Sequence, residues 1–384
     1  MSTPQGPAGR GRNTRQALVE TVQAHAYTIP TDAPEADGTM AWDHTTLVVV
    51  QVTADGLVGT GWTYGSPVIA PLIRQTLASC VVGQDAVNTT SIWTAMVRSL
   101  RNIGRPGIGS MALSAVDCAL WDLKARLLDI PLHRLLGSAR NTVPLYGSGG
   151  FTTYDHDQLE AQLRGWVDDD GMRAVKIKIG KSWGHHLDRD LARVRETRSI
   201  VGDDVQVFVD ANGGYTVGQA IRIAKQLDAL DVRWFEEPVS NDNLAGLGAV
   251  RQHTTADLTA GEYGDSLNYY HRLCQADVLD CLQVDVTRCG GITELLRIAA
   301  VAAAAQLDVS AQCAPYQHAA PMAAIPNLRH LEYFHDDTRI ERLFFDGTAP
   351  PTHGELPLHP TSPGNGFTFK PETAQPFLTA GAAA

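Results

Sequence analysis

Cysteine is scarce in this chain, and what there is never pairs by spacing. The six cysteines, Cys80, Cys118, Cys274, Cys281, Cys289 and Cys313, include no Cys-x-x-Cys among 384 residues. That excludes a disulfide scaffold and gives no support to a zinc or redox motif. Free thiols in a reducing, cytoplasmic setting are the expectation. Positive charge is also short. Lys plus Arg number 31 against 42 Asp plus Glu, a formal net charge of −11. An acidic chain without a basic run is a poor ligand for nucleic acid or an anionic membrane. No apolar run approaches the ~20 residues of a membrane span. Residues 1–15 are rich in Gly, Pro and Arg. They read as a flexible tail and not as a secretory signal, which needs an apolar segment.

What is present is ordinary globular material. Hydrophobic residues make up 44% and charged residues 19%, and the length suggests two or three domains. From residue 16 the pattern is strand-like. A Val-rich run, 45–52, is followed by Asp55-Gly56 and a second run, 58–63. Asp-Gly between two such runs predicts a hairpin. Residues 30–40, polar and containing Pro and Gly, read as a loop. Helical patterns cover 71–81, 88–101 and 110–128, and the last is apolar enough to need packing on more than one side. Residues 16–142 are therefore expected to form an α+β domain.

From 143 the rhythm changes to alternating strand and helix. Eight strand candidates, starting at 143, 174, 206, 233, 258, 281, 308 and 328, have helical segments between them. That predicts a β/α barrel of the TIM type over 143–345. Residues 346–384, rich in Pro and Gly, are a tail or a segment returning to the first domain.

A barrel strand is covered on both faces, so polar residues at its C-terminal end mark the mouth, where active sites sit. Strand two ends Lys176-Ile177-Lys178, which sends both amines off one face. Each charge disfavours the other, so one amine can titrate low enough to act as a base. Strands three, four and five end at Asp210, Glu236 and Glu262, each 26 residues after the last (236 − 210 and 262 − 236). Three carboxylates at one rim repel unless a cation neutralises them, and a set of hard oxygen ligands suits Mg²⁺. Beyond strand six lie Asp285, Arg288 and Gly290-Gly291, a pair that would suit a phosphate at a helix N-terminus.

Taken in order, Lys176-Ile177-Lys178, Asp210-Ala211-Asn212-Gly213, Phe235-Glu236-Glu237-Pro238, Gly261-Glu262 and Asp285 with Gly290-Gly291-Ile292 resemble the enolase superfamily, in its mandelate racemase-like branch. Residues 114–123 of the first domain resemble it too. The resemblance implies a modified barrel of seven regular β/α units with an atypical eighth position, capped by an α+β domain. It implies one Mg²⁺ held by Asp210, Glu236 and Glu262. Lys178 would take the proton α to a substrate carboxylate, forming an ene-diolate, with Lys176 as its electrostatic partner. Glu332 and Asn212 match substrate-facing positions. The branch pairs the strand-six aspartate, here Asp285, with a histidine ending strand seven, but the matching residue is Gln312. Amide groups do not exchange protons usefully at neutral pH. His318, six residues on, is the nearest histidine and a candidate acid. Without a second acid/base group racemisation loses support, because it needs one on each face. The favoured reaction is dehydration of a sugar acid. A racemase, epimerase or cycloisomerase is the alternative, and a non-catalytic ligand-binding relative the third reading. Arg288 is a candidate specificity residue. The expected partners are a small carboxylate and further copies of the chain.

Overall fold

The Val-rich run becomes the middle strand of a three-stranded antiparallel sheet, β1 (Thr21–Ala36), β2 (Ala41–Ala54) and β3 (Leu57–Tyr64), in the computed structural model, which describes residues 16–379. The expected tail, 1–15, lies outside the described residues. Side chains of a strand alternate between faces, and β2 uses both. Val48, Val50 and Val52 pack with the cap helices, whereas Leu47 and Val49 join the core that runs into the barrel. The hairpin forms as expected, with Asp55 and Gly56 both at positive φ, as its two-residue turn requires.

Residues 30–40 are not simply a loop. Strand β1 continues to Ala36, and its pairing with β2 skips register between Pro30 and Glu35. An edge strand with a bulge accepts Pro, because the missing N–H faces away from the ladder. The helix expected over 71–81 runs from Ile69 to Val81 with one widened turn at Ile73–Leu77.

Helix Ile108–Leu127 is buried on nearly every side, as its composition requires. Two glycines of β3 let it approach the sheet. A Cβ on Gly61 would lie 2.4 Å from the Ala115 carbonyl oxygen. Gly61→Ala should therefore cost about 1–3 kcal/mol by overpacking. Urea unfolding checks this, and an unchanged midpoint would contradict it.

Eight parallel strands follow: β4 (Thr142–Gly149), β5 (Ala174–Lys178), β6 (Gln206–Asp210), β7 (Val232–Glu236), β8 (Asp257–Ala260), β9 (Cys281–Val284), β10 (Asp308–Ala311) and β11 (Leu328–Phe334). Each pairs with the next, and β11 pairs with β4 to close the barrel. The last unit departs from the regular pattern: β11 pairs with β10 through a register shift, its helix is His335–Phe344, and a short strand, Glu355–Pro357, then adds antiparallel to β4. Under the mouth, the rings of Tyr146, Phe208, Trp234 and His330 form an aromatic floor.

The C-terminal segment packs against the cap. Thr379 donates its N–H to Ala26, and the Phe369 ring meets Tyr27 at 5.7 Å. All six cysteines are free thiols. Among the described residues, no helix is long and apolar enough to cross a membrane.

Candidate active site

Strand register builds the site. Lys178 pairs with Asp210, and Asp210 with Glu236, so three chemistry-bearing residues end adjacent strands at one level. Glu262 lies two residues past β8. One carboxylate oxygen from each of Asp210, Glu236 and Glu262 lies within 4.8 Å of the others, and all three side chains are buried. The Oε1 of Glu236 has no hydrogen-bond partner. Three buried carboxylates with an orphaned oxygen fit a hard divalent cation. The site's electrostatics agree. Burial first, then the Asp210 charge, pushes Glu236 well above the ordinary carboxylate range, and a cation relieves both effects.

Lys176 and Lys178 both point into the mouth. Lys178 Nζ lies 2.5 Å from Asp210 Oδ2. Lys176 Nζ bridges Glu236 (2.6 Å) and Glu332 (2.8 Å). Mutual repulsion was expected to lower one of these amines. Burial, the largest single effect, and Lys176 do act on Lys178 in that direction, yet the carboxylates of Asp210, Glu332 and Glu262 together outweigh them and hold its pKa above the usual lysine value. Glu332 behaves oppositely. Burial alone would raise it, but Lys176 and Lys178 pull it down to about 2. It also accepts from Ser148 Oγ (2.6 Å) and the Cys313 N–H (3.0 Å). Glu332 is thus a fixed anion, with Lys176 its counter-charge.

The remaining candidates sit around this core. Asn212 is held at positive φ beside Asp210, which accepts its N–H, and its own Oδ1 has no partner. Arg288 spans the rim, with Nε 3.1 Å from Asp285 Oδ2 and Nη1 donating to the Glu262 carbonyl. Gln312 is buried, its amide N–H on the Cys313 sulfur and its Oε1 free.

His318 is not in a loop. It lies on helix Pro315–Ala324, fully buried. Its Nε2 accepts the Val286 N–H at 2.7 Å, and its Nδ1 faces the Ala314 carbonyl. That pattern fixes the neutral tautomer with the proton on Nδ1. Asp285 is 3.7 Å away, but burial still lowers the histidine's pKa. In this arrangement Nε2 has no proton to donate.

Gly290-Gly291 does not cradle a phosphate. The Asp117 carboxylate of the cap accepts the Thr293 N–H and hydroxyl, and Ser114 accepts the Gly290 N–H. A Cβ on Gly291 would lie 2.4 Å from Asp117 Oδ2. The glycines admit a protein carboxylate, and the helix N-terminus joins the two domains. Sequence reasoning missed Glu237 as a site residue. It stands at positive φ, fully buried, and burial followed by Glu262 and Asp210 pushes it well above its usual range. Its adjacency to Glu236 was the available signal. Ser148 and Cys313 carried none, because their role exists only through Glu332.

Residues 21–137 match the mandelate racemase/muconate lactonizing enzyme N-terminal domain, and residues 158–373 the enolase C-terminal domain-like family. The chain belongs to the mandelate racemase-like branch of the enolase superfamily. A structure described as a mandelate racemase/muconate lactonizing enzyme-like protein from Rubrobacter xylanophilus is 43% identical, with a TM-score of 0.91, over 94% of this chain and 100% of that one. The 3,6-anhydro-alpha-L-galactonate cycloisomerase of Streptomyces coelicolor is 32% identical over 82% of this chain and 88% of its own length. The L-talarate dehydratase of Polaromonas sp. JS666, solved with Mg and L-glucarate, is 26% identical with a TM-score of 0.84, over 94% and 97%. Mandelate racemase-like relatives of this chain are thus lyases and isomerases, and relatives carry the magnesium expected from the sequence.

Proposed function

We propose that this member of the mandelate racemase-like branch dehydrates a sugar acid, with Lys178 as the base that removes the α-proton. One observation carries the reading. The buried carboxylate trio and Lys178 share one mouth, while the place for a second acid/base group holds Gln312.

Asp210, Glu236 and Glu262 are the residues to hold Mg²⁺, and when bound it supplies positive charge to the substrate carboxylate as the α-proton leaves. The chain's own residues do the rest. Lys176 and Glu332 lock each other in place, and Glu332, ionised throughout, accepts hydrogen bonds from substrate hydroxyls. Lys178 projects from a rigid strand, and its amine is freed to act as a base when a cation on Asp210 offsets the charge that holds it protonated. Having taken the α-proton, the same amine returns it to the departing β-hydroxide on the same face. His318 is not needed, because its Nε2 is spent on Val286. Arg288, pinned between Asp285 and Glu262 at the rim, meets the distal end of the substrate. We also place the enzyme in the cytoplasm, which suits its free thiols, and expect it to self-associate.

Cycloisomerisation is the second reading, favoured by the 32% identity to a cycloisomerase. It too needs one proton-transfer face. Incubating a panel of aldonic and aldaric acids and their anhydro and lactone forms with Mg²⁺ in D₂O, followed by NMR, separates the two. A 2-keto product that has lost water is expected. An isomer of unchanged composition would favour the second reading, and inertness across the panel would contradict both.

A further inference from the structure

The bulge in β1 brings cap residues to the end of the last barrel strand. It carries Asp32 and Glu35 against His335, the first residue after β11. His335 Nε2 lies 3.2 and 3.0 Å from the two Asp32 carboxylate oxygens. One donor atom from each of Asp32, Glu35 and His335 falls within 4.8 Å of the others. Donors around a tetrahedral zinc ion stand about 3.4 Å apart for bond lengths near 2.1 Å, so little movement is needed.

A second observation asks for a ligand here. Glu35 is fully buried, and only one of its two carboxylate oxygens is used: Oε2 accepts from the Trp42 indole N–H at 2.7 Å, while Oε1 has no partner. A buried, unpaired carboxylate oxygen is costly to keep. Arg339 does not answer it, because that side chain is committed to Asp336 and to the Pro30 carbonyl. An entry path exists. Asp32 is exposed and His335 part-exposed on the wall of an open hollow of about 1070 Å³.

We propose that Asp32, Glu35 and His335 bind a borderline divalent cation of the Zn²⁺ class, a second metal site separate from the carboxylate trio. The donor set argues for that class. Imidazole with two carboxylates suits zinc and its transition-metal neighbours, whereas the trio is all oxygen and suits magnesium. Three protein ligands leave a fourth position for water. The ion ties strand β1 of the cap to the end of β11. From there a row of rings leads to the mouth: Trp42 meets Phe151 at 5.6 Å, Phe151 meets Phe334 at 5.7 Å, and Lys178 Nζ lies 5.9 Å from the Phe334 ring centre. The ion's place in the fold is that of a clasp between the cap and the barrel.

Equilibrium dialysis of the metal-stripped full chain against Zn²⁺, with zinc and protein both quantified, tests this without reference to turnover. His335→Ala and Asp32→Asn are each expected to hold one zinc fewer per chain than the wild type, with Mg²⁺ affinity unchanged. Asp32 is half-exposed, so its variant keeps the test valid should His335→Ala fold poorly. Equal zinc content in wild type and Asp32→Asn would overturn the proposal. So would loss of zinc in Glu236→Gln alone, which would assign all of it to the trio.

Discussion

Replacing Lys178 with alanine is expected to lower turnover of the sugar-acid substrate by about 10²–10⁴-fold, the usual share of a positioned general base. Exchange of the substrate α-proton with solvent deuterium should disappear with it. The fold should survive, because Lys178 ends its strand at the mouth and the floor of Tyr146, Phe208 and Trp234 lies beneath. The effect should fall on kcat more than on KM, since the amine acts on a proton in flight and the substrate is held by other groups. Lys176→Ala should behave differently. It frees Glu332 and Glu236 from their counter-charge, so binding and turnover fall together. A Lys178→Ala enzyme that still washes deuterium into its substrate would show that another group removes the proton.

Glu236→Gln carries the second large effect. The variant removes one charge from a buried trio whose members lie within 4.8 Å of one another. Mg²⁺ affinity, measured by calorimetry on the stripped protein, should fall by at least about tenfold, as ligand-shell changes do. The stripped variant should meanwhile be no less stable than the stripped wild type. Burial and the Asp210 charge already penalise an ionised Glu236, so a neutral amide relieves repulsion. Lys176 tempers this gain, because its ammonium loses a partner at 2.6 Å. Weaker magnesium binding without loss of fold is therefore the expected pair of results. Unchanged Mg²⁺ affinity would remove Glu236 from the ligand set.

How much of this was legible beforehand depended on what fixed each residue. That Asp210, Glu236 and Glu262 would meet at one rim was readable because parallel β/α units repeat, and the even 26-residue spacing was its trace; that Lys178 would join them followed from strand alternation. The barrel was readable for the same reason. The failures lie where a distant segment decides. Pro30 looked like loop chemistry, and only its place on an edge strand beside a bulge lets β1 run on to Ala36. Gly290-Gly291 looked like an anion cradle, and its anion turned out to be Asp117 of the cap. His318 looked available because nothing in its neighbours announces that Val286 will occupy its Nε2. Lys178 looked like a lowered amine, since the lysine pair is visible in sequence, whereas Asp210 at 2.5 Å is a tertiary fact.

The central claim is a divalent ion among Asp210, Glu236 and Glu262 with the Lys178 amine facing the substrate bound beside it. A crystal structure with Mn²⁺ in place of Mg²⁺ and an unreactive sugar-acid analogue tests it most directly, through the anomalous signal of the metal. One anomalous peak bonded to all three carboxylates is expected, with Lys178 Nζ within hydrogen-bond reach of the analogue's α-carbon substituent. A peak bonded elsewhere, or a lysine turned away from the analogue, would contradict it.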